Sequence, residues 1–433
     1  MRNTPPSPWS WISSLYFAQG LPYVVVMTVA VIMFKRLGMS NTNIAFYTSG
    51  LYLPWVIKPL WSPLVDMLKT KRWWIVAMQL IIGAGLGGIA LTLEGPVSIR
   101  YCLAFMWLLA FSSATHDIAA DGFYMLSLNV KKQAYFVGIR NTFYRLAILA
   151  GQGGVVMLAG SLEQYYSGHL PEAIAIPRAW SVTFYCLTAL FAALFVYHHL
   201  ILPHPEKASP IPVPDQPEAK PILLEFCDTF RSFFTKKHIG AALAFILLYR
   251  FAESQLVKIT SPFLLDSPDV GGLGLSTSEV GFIYGTIGVI ALTLGGIAGG
   301  IVMARKGLDH WLWWMTAAMN IPNLVYLYLA IAQPQTIAVI SGCVAVEQLG
   351  YGFGFTSLTY FMMLFSTGKH QTAHYAICTG FMALGMMLPG MMSGWMEEQI
   401  GYQNFFIWIM LCTIPSFIAT AKIKKIGNPS TND

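Results

Sequence analysis

The stretch LAFMWLLAFSSATHDIAADGFYML, residues 103–126, decides how the chain is read. It is long enough to cross a bilayer, which takes about 20 predominantly apolar residues. Yet Asp117 and Asp121 stand in its middle. A carboxylate at membrane depth costs roughly 2.5–3.5 kcal/mol on insertion scales, so it is rare there and usually functional. The two aspartates are four residues apart and project from one helical face. A helix that only anchors the chain has no use for such a face, whereas a helix lining a water-filled pathway does.

Composition agrees with a membrane setting. The 433 residues are 55% hydrophobic and only 11% charged, against about 25% charged in soluble domains. The net charge of +6 does not indicate nucleic-acid binding, because most of the basic residues fall in short loops, where they set topology. The six cysteines are scattered, and Cys102, Cys186, Cys343, Cys378 and Cys412 fall in apolar segments. They read as free buried thiols, with neither disulfide nor metal-ligand spacing. The polar start, Met1–Pro8, has no small-residue cleavage site, so the first apolar segment is expected to remain as a helix.

The pattern predicts an all-α polytopic protein with twelve transmembrane helices in two six-helix bundles. The first six apolar runs are 9–34, 44–65, 73–93, 101–126, 134–162 and 180–200. The second six are 239–264, 279–303, 311–332, 336–365, 375–396 and 405–421. The expected divisions are therefore an N-terminal bundle over 1–202, a cytoplasmic linker over 203–237 and a C-terminal bundle over 238–433. The linker opens proline-rich and polar. It then spaces Ile222, Phe226, Phe230 and Phe233 along one helical face, which suits either an interfacial helix or a cytoplasmic extension of the seventh span. Basic residues set the orientation. With the N-terminus inside, the inner segments hold Lys69, Lys71, Arg72, Lys131, Lys132, Lys236, Lys237 and others, and the outer loops hold only Lys35, Arg36, Arg100 and Arg178. Both termini are thus expected in the cytoplasm. The halves also echo one another, LYFAQ at 15–19 against LYRFAE at 248–253. Two six-helix repeats joined by a cytoplasmic linker is the major facilitator arrangement, which places a substrate site at the midplane.

Lys58, Asp117, Asp121, Arg140, Arg145, Arg250, Glu253, Lys258 and Glu347 lie inside the spans. Isolated in lipid they would together cost on the order of 25 kcal/mol, so they must pair or face water. Depth along the helices places Asp117 with Arg145, and Asp121 with Arg140 and Lys58. Glu253 and Glu347 fall at comparable depth, and Arg250 and Glu253, three apart, can pair on one helix. Lys258, near an outer helix end, is expected to snorkel. The candidate proton-coupling residues are Asp117, Asp121 and Glu253. The candidate substrate contacts are Gln19, Tyr23, Lys58, Tyr124, Arg145, Arg250, Glu347 and Tyr351, mixing charge with aromatic rings able to stack or donate. Asp66 with Lys71 and Arg72, at a cytoplasmic helix end, reads as a gating latch. His116 points about 100° away from Asp117 and reads either as a proton relay or as a helix-packing side chain. The glycines at 295, 296, 299 and 300, and at 151, 153 and 154, read as helix-packing positions.

Several segments together resemble the AmpG-type permease branch of the major facilitator superfamily, to which the acetyl-CoA transporters are related. They are FAQGLPY at 17–23, KPLWSPLVD at 58–66, FSSATHDIAAD at 111–121, LLYRFAES at 247–254, EVGFIYGTIGV at 279–289 and VEQLGYGFG at 346–354. The resemblance implies a monomeric permease of the bacterial inner membrane that imports cell-wall muropeptides (GlcNAc-anhydroMurNAc peptides). It implies a proton gradient as the driving force and no cofactor or metal. Its expected partners are a small-molecule substrate and the lipid bilayer, and no nucleic acid. Protonation of Asp117, Asp121 or Glu253 would break an ion pair and permit the inward switch. The segment GFYML at 122–126 departs from the further charges the muropeptide permeases carry there. A siderophore, or another anionic solute such as an acyl-CoA, is the alternative cargo. A membrane acyltransferase using His116 is a remote alternative, since the chain has no GxSxG turn, no HExxH and no metal cluster.

Overall fold

The computed structural model describes residues 6–94, 99–204, 222–368 and 370–426. Within these the protein is all-α, and nine helices are long and apolar enough to cross a membrane. The run Thr277–Ala332 is bent at Gly307 (φ 71°) and the run Ala373–Ile426 at Gly401 (φ 74°). Both glycines hold a backbone conformation that a side chain resists. Residues 41–68 form two helices, Asn41–Gly50 and Leu53–Leu68, separated at Leu51–Tyr52, just before Pro54.

Helix starts follow local chemistry. Ser40, Thr70 and Asn129 each accept the backbone N–H three residues on, and Ser276 forms a reciprocal capping box with Glu279. Large apolar side chains stay exposed on the outside, among them Leu80, Leu294, Leu324 and Leu388. That surface is what a helix meeting lipid requires. Cys102, Cys378 and Cys412 are buried as expected, but Cys186 is exposed.

The chain divides into two compact units, Met1–Ala30 with Leu60–Ala219, and Val31–Pro59 with Lys220–Asp433. In the first unit, the Ile12–Val24 helix packs on Ile99–Ser127 and Val130–Leu149, and Lys71–Thr92 packs on Ile99–Ser127 and Glu172–Ile201. Two widened π-helical turns, Val25–Val29 and Ala150–Val155, meet each other. Gly151 permits that approach, since a Cβ there would come within 2.0 Å of Val24 Cγ1. Gly154 has nothing within 4 Å, so the expected glycine seam is only partly a packing device.

In the second unit, Val289–Asn320 lies along Ile337–Phe365. A Cβ on Gly295 would stand 2.1 Å from Leu349 O, and one on Gly352 2.0 Å from Leu292 O, whereas Gly300 faces open space. The Gln371–Leu411 helix packs on Phe251–Leu265 and on Asn41–Gly50. Ile222–Phe234 is a separate helix, divided from Ile239–Leu248 by His238 in a left-handed conformation. Phe233 is fully buried in the unit's core, and Lys236 Nζ donates to Phe365 O at 2.7 Å and Thr367 O at 2.8 Å. The end of the linker is therefore docked on protein through Phe233, and its helix is separate from the one that follows.

Candidate functional site

In the first unit three helices converge on the two aspartates. Tyr16 and Gln19 lie three residues apart on Ile12–Val24, and Arg140 lies on Val130–Leu149. Arg140 Nη2 is 3.1 Å from Asp121 Oδ1, and Tyr16 Oη donates to the same oxygen at 3.2 Å. The guanidinium also sits 4.6 Å above the Tyr16 ring and 5.3 Å from the Tyr124 ring, so cation–π attraction adds to the ion pair. The Asp121 and Arg140 side chains keep 36% and 27% of their surface accessible, so the pair borders open space. Gln19 Nε2 donates to Asp117 Oδ1, while Gln19 Oε1 is buried without a hydrogen-bond partner. An unmet buried acceptor is uncommon and leaves Gln19 able to receive a further donor. The Tyr124 hydroxyl donates to Gln133 O at 2.5 Å, so what Tyr124 offers is its ring. Tyr23 and Arg145 are partly buried on the same helical segments. Sequence depth anticipates Asp121 with Arg140, whereas Tyr16 is not among the residues singled out in the sequence. Its position three residues before Gln19 was the available signal.

His116 does not share this site's hydrogen bonds. Its Nε2 is 3.0 Å from Gln79 Nε2, Gln79 Oε1 is 3.0 Å from His198 Nδ1, and His198 Nε2 is 2.9 Å from Ser14 Oγ. Gln79, His116 and His198 are all buried. This chain ties four helices together, which is a packing role.

Of the latch residues, the side chain of Asp66 lies outside the described residues. Lys71 is buried, and a Cβ on Gly122 would come within 2.8 Å of its Cε. Arg72 donates to His199 O and, at 3.1 Å, to Leu202 O. It thereby satisfies carbonyls that the end of the Glu172–Ile201 helix leaves over.

In the second unit Arg250 stands at a break between Ile239–Leu248 and Phe251–Leu265. It donates to Tyr351 Oη and stacks 5.2 Å from the Tyr351 ring and 5.0 Å from the Phe355 ring. Glu253 and Glu347 are both buried. Glu347 Oε2 accepts from Tyr326 Oη at 3.1 Å and Gln348 Nε2 at 2.9 Å. Glu253 Oε2 and Glu347 Oε1 are buried without hydrogen-bond partners. Lys58 is partly buried at the other end of this unit's early segment. Lys258 does not snorkel. It is 1% exposed, and its Nζ donates to Thr48 Oγ1 at 3.1 Å and lies 5.1 Å from the Tyr52 ring centre.

One polar cluster of the second unit was missed in the sequence. Lys35 Nζ is 2.7 Å from Asp266 Oδ2 and 2.9 Å from Asn41 Oδ1. Asn41 Nδ2 donates to Glu397 Oε2 at 2.6 Å and Tyr402 Oη at 2.9 Å, and Tyr402 Oη donates to Asp266 Oδ2 at 2.5 Å. It links the turn after the first helix to the ends of the Phe251–Leu265 and Gln371–Leu411 segments. Among the described residues, no group of three or more His, Cys, Asp or Glu is placed to hold a metal ion.

Comparison with known proteins agrees with this architecture. The model of the Major Facilitator Superfamily matches residues 12–388. The anhydromuropeptide permease of Escherichia coli (strain K12) is 25% identical over 414 residues, covering 93% of this chain and 77% of that protein. Among solved structures, a bacterial homologue of the human lysosomal transporter Spinster, inward-facing and unoccupied, superposes with a TM-score of 0.69 at 14% identity, over 97% of this chain and 96% of that one. A D-xylose–proton symporter gives a TM-score of 0.69 at 10% identity, over 95% and 96%. At such identities the two structures speak for the fold alone. The helices, their buried charges and the family match define a polytopic membrane permease, and the chain belongs to the major facilitator superfamily. Within it, the chain is similar to the AmpG-type permeases.

Proposed function

We propose that this protein is a proton-coupled importer of anhydromuropeptides, working in the bacterial inner membrane as a two-bundle permease of twelve spans with both termini cytoplasmic. The observation that carries the reading is the Asp121–Arg140 ion pair, bridged by Tyr16 and flanked by Asp117 with Gln19. Protonating Asp121 removes its charge and frees Arg140, which turns a bound proton into a rearrangement of three helices. Such a device shifts a two-state equilibrium only if the two states hold the proton with different affinity. Glu253 and Glu347, both buried and each with an oxygen lacking a hydrogen-bond partner, supply a second place for a proton. The substrate's sugar rings and peptide suit Tyr23, Tyr124, Tyr351, Arg145, Arg250, Lys58 and Gln19, which combine aromatic faces with donors and acceptors. Asp66, Lys71 and Arg72 are assigned to gating at the cytoplasmic helix ends. Similarity to the Escherichia coli permease over 93% of the chain supports the muropeptide as cargo. No cofactor is invoked beyond the proton gradient.

The test is uptake by purified protein in liposomes. A labelled anhydromuropeptide is expected to accumulate when the outside is acid, and Asp121→Asn is expected to abolish that accumulation in folded protein. A siderophore accumulating in its place would keep the transporter and change the cargo.

A further inference from the structure

Lys258 is the buried cation that the assigned sites leave unused. Its Nζ meets one hydroxyl, Thr48 Oγ1, and one ring face, Tyr52, and among the described residues no carboxylate forms a salt bridge with it. Thr48 spends its own proton on Ile44 O at 2.7 Å, so toward Lys258 it is purely an acceptor. An ammonium has three donors, and a buried cation is normally paired with an anion. The next residue, Ser49, turns about 100° further around the helix, and its Oγ is buried with no hydrogen-bond partner. Ser49 lies against Gly390, where a Cβ would stand 2.7 Å from Ser49 Oγ and 3.0 Å from Ser254 O. Ser254 is one helical turn before Lys258. The seam thus holds an under-used ammonium against an aromatic face. It is closed by a helix that ends at Gly50, next to the break at Leu51–Tyr52.

We infer that Lys258, with Tyr52, is a seat for a carboxylate of the transported solute, exposed when the Asn41–Gly50 helix moves off Phe251–Leu265. The inference rests on the transport reading above and adds to it a specific residue that selects acids over neutral analogues. The ammonium would donate to the carboxylate oxygens, and the Tyr52 face would cover the adjoining apolar carbon. On closure, Thr48 and Tyr52 take back the ammonium. The break at Leu51–Tyr52 allows residues 41–50 to move while Leu53–Leu68 stays.

The experiment compares wild type, Lys258→Gln and Lys258→Arg in proteoliposomes, with an anhydromuropeptide bearing free carboxylates and its carboxamide derivative. Wild type is expected to favour the acid by tenfold or more. Lys258→Gln is expected to lose that preference by slowing the acid alone, and Lys258→Arg to keep most of it. Equal slowing of both forms, or of neither, would overturn the seat. A wild type that takes up neither form would refute the muropeptide reading, and the seat is then decided on purified protein. N-acetylmuramic acid should raise its unfolding temperature where N-acetylglucosamine does not, and Lys258→Gln should abolish the difference. No difference in wild type would overturn the proposal.

Discussion

Asn41 Nδ2 donates to Glu397 Oε2 across 2.6 Å, joining residues 356 positions apart in sequence. Both side chains are about 5% exposed, so water cannot replace the bond. Asn41→Ala strands the Glu397 carboxylate and removes a donor from Tyr402. Leaving a buried group unsatisfied costs about 1–3 kcal/mol. The expected result is a clear fall in unfolding temperature in detergent, with Lys35→Met giving a second, non-additive fall because both act on one network.

The Asp121–Arg140 pair should behave oppositely. It is partly exposed, and such pairs contribute about 1 kcal/mol or less to stability. Asp121→Asn is therefore expected to leave the unfolding temperature almost unchanged while gradient-driven uptake disappears. A variant that loses both would mark the aspartate as structural. Thermal scans and uptake on the same preparation separate the two.

His116→Leu is expected to do the reverse. It leaves the Gln79 amide without its imidazole partner in a dry core, at a cost of about 1–3 kcal/mol. Uptake per folded molecule should persist, since His116 makes its hydrogen bond to Gln79. Loss of coupling at normal stability would restore the relay reading.

Two glycines in one helix should differ sharply. A Cβ on Gly295 meets Leu349 O at 2.1 Å, whereas Gly300 has nothing within 4 Å. Gly295→Ala is expected to destabilise by about 1–3 kcal/mol through overpacking. Gly300→Ala should be neutral or stabilising by up to about 1 kcal/mol through helix propensity. Unfolding temperatures of the two variants decide it.

Most of the fold was legible because its signals are local. Apolar runs and cap residues such as Ser40 and Thr70 lie within a few positions of what they determine. Asp117 and Asp121 were legible for the same reason, since a carboxylate inside an apolar run needs no partner to be conspicuous. The Lys35–Asn41–Asp266–Glu397–Tyr402 cluster was not, because each member lies at a loop or helix end where charge is ordinary, and only folding brings them together. Lys258 was misjudged because distance from a helix end suggests snorkelling only if that face meets lipid, and here it meets Thr48 and Tyr52. The break at Leu51–Tyr52 was foreshadowed by Pro54, but its consequence depends on what packs beside it.

The most direct test of the account is accumulation of labelled anhydromuropeptide in proteoliposomes, measured with an outside-acid gradient and after its collapse by a protonophore. The account requires uptake that stops when the gradient is collapsed and is absent in Asp121→Asn. Uptake indifferent to the gradient, or undiminished in Asp121→Asn, would contradict it.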